Sequence, residues 1–133
     1  MTIQEYHKEM SKRNRGKEAA SEHDLQVICV RWFRVKFRAY EKLLFAIPNG
    51  GYRLKTTARM MRAEGELPGV PDIQLAVPRN GYHGLFIEMK NGKAGRLSDH
   101  QKEMIALLEE QGYACAVCHT LDEFMTTVEE YMK

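Results

Sequence analysis

The stretch GVPDIQLAVPRNGYHGLFIEMK, residues 69–90, decides the fold. Asp72–Val77 and Leu85–Lys90 read as strands, and the linker between them carries Asn80-Gly81, the dipeptide that most readily supplies the positive φ angles of a tight hairpin. Strand side chains alternate between faces, so Glu88 and Lys90 share one face, about 7 Å apart, while Ile87 and Met89 enter the opposite layer. Folding at Asn80-Gly81 lays the start of the first strand beside the end of the second. Asp72 is therefore expected across from Glu88 and Lys90, so two carboxylates and an ammonium converge at one end of an otherwise apolar hairpin.

Such charges are costly to bury unless they are paired or bind a metal. Asp72 and Glu88 offer hard oxygen donors, the Met89 backbone carbonyl adds a third, and this set suits Mg²⁺ or Mn²⁺. One or two such ions position and deprotonate a water and neutralise charge developing on a phosphodiester. Lys90 is placed to orient that water or to stabilise the transition state. The spacing alone also fits a solvated strand face with Asp72 capping a turn.

Working outward, Ser21 with Asp24 makes a capping pattern that opens a helix running to near Tyr40. Its apolar arc, from Leu25 through Ile28, Val30, Trp32, Phe33 and Phe37, is wide enough to be buried on more than one side, and a dimer interface is one candidate for the second. Arg31, Arg34 and Arg38 share its remaining narrow face. Glu22 lies at the start of this helix on the apolar arc; it reads either as a cap or as a further metal ligand. Leu43–Ile47 is a short strand ended by Pro48-Asn49-Gly50-Gly51. Residues 53–63 have helical spacing, with Leu54, Ala58 and Met61 on one side and Lys55, Arg59 and Arg62 on the other. Ser98 with Gln101 is a second capping box, opening a helix that runs to about Glu110 and stops at Gly112. Gln101 also falls on the inward stripe with Met104, Ile105 and Leu108, so it reads both as a cap and as a site residue. Tyr113–Cys118 is a strand, and Thr120 with Glu123 starts a final helix. The order is α-β-α-β-β-α-β-α, an α/β fold with a mixed sheet flanked by helices.

The 133 residues are the size of one domain, with residues 1–20 a polar arm and 21–133 a single folded unit. No apolar run approaches the roughly 18 residues of a membrane span, and the first residues lack the apolar region of a secretory signal. Three cysteines, an odd number, point to core thiols in a reducing, cytoplasmic setting rather than a disulfide framework. Cys115-Ala-Val-Cys118 lacks the further ligands that a zinc or iron–sulfur site needs. The net charge of +2 is uneven. Nineteen basic and 11 acidic residues precede Glu103, against one lysine and seven acidic residues from there on. A basic body suits a polyanion, and the Lys55/Arg59/Arg62 stripe suits phosphate contacts, although an uneven solvated surface fits the same counts.

IPNGGYR at 47–53, GVPDIQL at 69–75, LFIEMK at 85–90 and GRLSDHQKEMIALLEEQGYACAVC at 95–118 together resemble the VRR-NUC (virus-type replication-repair nuclease) domain of the PD-(D/E)XK nuclease superfamily. The resemblance covers residues 22–118 with the motifs in the right order. It implies a restriction-endonuclease-like fold and metal-dependent cleavage of DNA phosphodiesters. By it, Asp72, Glu88 and Lys90 form the catalytic set, Glu22 is an acidic residue near the metal, Gln101 is the helix glutamine behind the site, and Arg53 is the arginine after the glycine pair, a DNA contact. Chains this short look like stand-alone phage or prophage nucleases, which tend to dimerise and are similar in arrangement to Holliday-junction resolvases. The competing readings are a sequence-specific restriction-type enzyme of the same superfamily, a DNA-binding module without catalysis, and a nuclease subunit that acts with a host or phage replication or recombination partner docked on the acidic C-terminal helix.

Overall fold

The computed structural model describes residues 2–5, 21–48, 55–92 and 95–133. Its elements run α1 (Glu22–Lys36), a 3₁₀ helix (Arg38–Leu43), β1 (Leu44–Ala46), α2 (Lys55–Ala63), β2 (Ile73–Leu75), β3 (Leu85–Met89), α3 (Asp99–Glu110), β4 (Ala114–Cys118) and α4 (Leu121–Met132). The sheet order is β1-β2-β3-β4, with β1/β2 and β2/β3 antiparallel and β3/β4 parallel. This is the mixed sheet and element order that the sequence predicts.

The hairpin forms at Asn80-Gly81, where φ is +53° and +84° and the Tyr82 N–H donates to the Arg79 carbonyl. Positive φ at both central residues marks a turn whose twist matches the flanking strands. The turn is fastened to the last helix, since Asn80 Nδ2 donates to the Tyr131 carbonyl at 2.8 Å and the Tyr131 hydroxyl donates to the Val77 carbonyl at 2.6 Å. The parallel β3/β4 pair needs a crossover, and α3 supplies it.

Helix α1 opens as expected, with Ser21 Oγ accepting from the Asp24 N–H, and Glu22 and Asp24 complementing the positive helix start. It ends earlier than the expected Tyr40. Phe37 leaves helical geometry, stacks on Phe33 at 5.3 Å and meets the Trp32 ring edge-on at 5.9 Å. The tighter 3₁₀ turn that follows carries Arg38 off the α1 face and brings the Tyr40 hydroxyl to accept from Arg79 Nη2. Burial of those aromatic rings outweighs helix continuation.

The core lies between the sheet and the pair α1 and α4. Leu25, Cys29, Trp32 and Phe33 pack with Ile73, Leu75, Leu85, Ile87 and Met89, closed by Phe124 and Val128. Phe86, on the opposite face of β3, meets Tyr113 edge-on near α3. All of β3 is buried, so Glu88 is an ionisable group inside the fold and not a solvated strand face. At the N-terminus, Thr2–Glu5 forms a capped turn and Ile3 packs against the core, so this end of the arm is docked. Among the described residues, no helix is long and apolar enough to cross a membrane.

Candidate active site

Local backbone rules bring the site together at the C-terminal ends of β3 and β4. The register pairs Ile73 with Ile87, which sets Asp72 beside Glu88 as the hairpin reading requires. Asp72 Oδ2 accepts the Met89 N–H at 2.8 Å, so one carboxylate is locked to the backbone between Glu88 and Lys90. Upstream, Gly69 has φ +90°, and a β-carbon there would lie 2.4 Å from the His100 carbonyl oxygen. Only glycine lets the chain entering Asp72 cross the first turn of α3 so closely. That crossing places Gln101 against the site.

Gln101 plays both of the roles its sequence position allows. Its Oε1 accepts the Ser98 N–H at 2.9 Å while its own N–H donates to Ser98 Oγ, completing the capping box. Its Nε2 donates to Glu88 Oε1 at 2.9 Å. One amide therefore caps the helix with its oxygen and holds the buried carboxylate with its nitrogen.

Glu88 is 4% exposed, and its buried Oε2 receives no hydrogen bond from a donor among the described residues, so it can hydrogen-bond only by keeping its own proton and donating to Asp72. Burial, then the charge and closeness of the Asp72 carboxylate, push its carboxyl up to about 8, with Lys90 pulling the other way and Glu22 adding to the rise. Lys90 Nζ lies 4.0 Å from Glu88 Oε1 and is itself mostly covered. Glu22 Oε1 reaches the Asn91 N–H at 3.4 Å, a long contact from the start of α1. All four side chains named from the sequence, Asp72, Glu88, Lys90 and Gln101, thus meet at one place, with Glu22 at its margin. Among the described residues, no group of three or more His, Cys, Asp or Glu side chains could hold a metal ion by itself. Glu22, Asp72 and Glu88 accordingly do not form such a group, and the donors for an ion reduce to Asp72 and Glu88 with backbone oxygen. That set still fits Mg²⁺, which is commonly held by one or two carboxylates, waters and substrate phosphate. The unpartnered, buried Glu88 Oε2 is the observation in favour, because a buried oxygen without a donor is costly unless something else meets it.

Lys55, Arg59 and Arg62 are exposed on α2, with Ala58 and Met61 half-buried behind them. Arg53, Leu54 and the Asn49-Gly50-Gly51 turn lie outside the described residues. Cys29 and Cys118 are buried free thiols and Cys115 is half-buried. Burial pushes Cys29 up to about 12 and Cys115 to about 11, so neither is a ready nucleophile. Two further residues lack a functional signal in the sequence: His119, which follows β4 beside Lys90, and Glu123 on α4, which hydrogen-bonds to it.

The VRR-NUC domain profile matches residues 20–121. A solved structure of a VRR_NUC domain protein superposes with a TM-score of 0.76 at 24% sequence identity, covering 87% of this chain and 91% of that one. No curated protein matches significantly. The structural likeness shows the fold; the profile, spanning most of the chain, shows the family.

Proposed function

The chain belongs to the VRR-NUC family, a nuclease-type branch of the PD-(D/E)XK superfamily, and from that premise we propose that it is a divalent-metal-dependent deoxyribonuclease. The observation that carries this reading is Glu88, a buried carboxylate with an unpartnered oxygen, set between Asp72 and Lys90. A protein does not keep such a group for stability, since the same position in an apolar sheet would favour a hydrophobic side chain.

Asp72, Glu88 and the Met89 carbonyl would hold Mg²⁺ or Mn²⁺, with Glu22 at the margin of the site at the start of α1. A bound ion supplies Lewis-acid charge neutralisation and a water acidified toward neutral pH. The chain's own groups do the rest. Asp72 keeps the Glu88–Lys90 backbone in place through the Met89 N–H. Gln101 fixes Glu88 Oε1, which leaves Oε2 as the free donor. Lys90 brings a positive charge to where a scissile phosphate gains negative charge, and its ammonium can orient the attacking water. Lys55, Arg59 and Arg62, with Arg53 before them, contact the phosphate backbone and set the register of the duplex.

The proposed substrate is branched or junction DNA, or DNA cut without regard to sequence. We place the protein in the cytoplasm as a homodimer of phage or prophage type, open to a replication or recombination partner. Two shallow depressions that share Arg34 run from α1 to β1, where Phe45 is exposed beside the exposed Leu43 of the 3₁₀ helix, and they support the dimer. The test is to incubate the protein with supercoiled plasmid, linear duplex, flap and four-way-junction DNA in Mg²⁺, Mn²⁺ or EDTA. We expect cleavage only with metal, and fastest on the branched substrates. Failure to cut any of them would refute the nuclease assignment, and equal rates on all would remove the preference for structure.

A further inference from the structure

Strand β4 runs parallel to β3, and the Lys90 N–H donates to the Cys118 carbonyl at 3.0 Å, so His119 arrives beside Lys90. Its ring spans two elements. Nε2 lies 3.2 Å from the Gly95 carbonyl oxygen, in the connection between Lys90 and α3, and Nδ1 lies 3.2 Å from Glu123 Oε2 on α4. Glu123 also accepts the His119 N–H, which, with the ring, holds its carboxyl below the usual carboxylate range. Both ring nitrogens therefore face oxygens, and a ring N–H on Nε2 donates to the Gly95 carbonyl.

Gly95 is where this clamp reaches the site. A β-carbon on Gly95 would sit 2.8 Å from Lys90 Cβ, and 3.3 Å from the Asn91 carbonyl oxygen. The Gly95 backbone is thus pressed against the base of the Lys90 side chain, too close for any other residue. Gly95 is tied back on its other side by its N–H to the Gly92 carbonyl. The chain of contacts runs from Glu123 to His119, to the Gly95 carbonyl, to the stem of Lys90.

We propose that His119, oriented by Glu123, is a positioning residue that holds Gly95 against Lys90 and so fixes where the lysine ammonium lies in the active site. This rests on the nuclease reading for its consequence, while the contact itself is independent of it. The hydrogen bonds of His119 go to Gly95 and Glu123 and not to Asp72 or Glu88, so its loss displaces Lys90 and leaves the metal donors in place. That separates it from a residue that merely caps α4, whose loss would lower stability without singling out Lys90.

The experiment compares wild type, His119→Leu, His119→Gln and Gly95→Ala. Four quantities are read: single-turnover cleavage, DNA affinity, Mn²⁺ affinity, and the ε-carbon resonance of Lys90 in ¹³C-lysine protein, assigned with Lys90→Arg. A displacement on the order of 1 Å at a catalytic group costs about 10²-fold in rate. His119→Leu and Gly95→Ala should therefore slow cleavage by about tenfold to a hundredfold, and shift the Lys90 resonance, with DNA and Mn²⁺ affinity held. His119→Gln, whose amide can still donate to Gly95, should recover most of the rate. An unchanged rate and unchanged Lys90 resonance in His119→Leu would overturn the proposal. So would Mn²⁺ affinity falling in step with the rate, which would mark a general loss of structure; Gly95→Ala repeats the test should His119→Leu fail to fold. If wild type cuts no DNA and yet Lys90 shifts in His119→Leu, the nuclease reading fails and the positioning contact stands.

Discussion

Replacing Glu88 by glutamine in metal-free protein should make the fold more stable, and by an amount that grows with pH. The substituted amide keeps an acceptor for Gln101 Nε2 and gains a donor toward Asp72, so Glu88→Gln changes charge with little change in shape. The Glu88 carboxyl is raised from 4.5 to about 8, first by burial and then by Asp72. A raised carboxyl means that the native state binds this proton more tightly than the unfolded chain does. Its contribution is therefore most favourable below about pH 4.5 and is lost as pH climbs through 8. One pH unit inside that window is worth up to about 1.4 kcal/mol, which gives about 2 to 4 kcal/mol between pH 5 and pH 8. The assay is urea denaturation of both proteins in EDTA at each pH. Groups away from Asp72, Lys90 and Glu22 titrate alike in the pair, so the difference isolates Glu88 and the neighbours its charge acts on. The two should nearly coincide at pH 5 and diverge steadily above it, with the glutamine variant ahead. Parallel profiles would refute the claim that Glu88 is a strained, buried acid.

Mg²⁺ at 100 times its dissociation constant should raise wild-type stability by about 2.7 kcal/mol and raise Glu88→Gln by less; equal gains would place the ion elsewhere. Gly69→Ala should destabilise by about 2 kcal/mol or more in denaturant titration, because the residue combines φ +90° with a 2.4 Å approach to the α3 backbone. Asp72→Ala should cost about 1 to 3 kcal/mol through the orphaned Met89 N–H, whereas Asp72→Asn keeps an acceptor there and should lose cleavage with little loss of stability. The Arg59/Arg62 double alanine should weaken DNA binding across all sequences and reduce the salt slope by about one per lost phosphate contact; an unchanged slope would remove α2 from the DNA face.

Local chemistry made much of this legible in the sequence. Asn80-Gly81 names its own turn, the strand period sets Glu88 and Lys90 on one face, and hairpin closure brings Asp72 to them. The Ser98–Gln101 capping box located the helix that carries Gln101, and the Thr120 cap the helix that carries Glu123. What escaped is nonlocal. The end of α1 at Lys36 depends on Phe37 packing against Phe33 and Trp32, which no helical period encodes. Gln101 posed a choice between cap and site that only the two ends of its amide resolve. His119 acquires a part only through the parallel register that sets β4 beside Lys90, and through a loop pressed on the lysine stem. Glu22 reaches only the Asn91 N–H from the start of α1, and among the described residues it completes no three-carboxylate group with Asp72 and Glu88.

The central claim is that Asp72 and Glu88 are held together to bind a divalent cation. Mn²⁺ titration followed by electron paramagnetic resonance on wild type, Asp72→Asn and Glu88→Gln tests it most directly. Wild type should bind Mn²⁺ saturably, and each substitution should weaken binding by about tenfold or more while the fold stays intact. Binding of equal strength in all three proteins would contradict it.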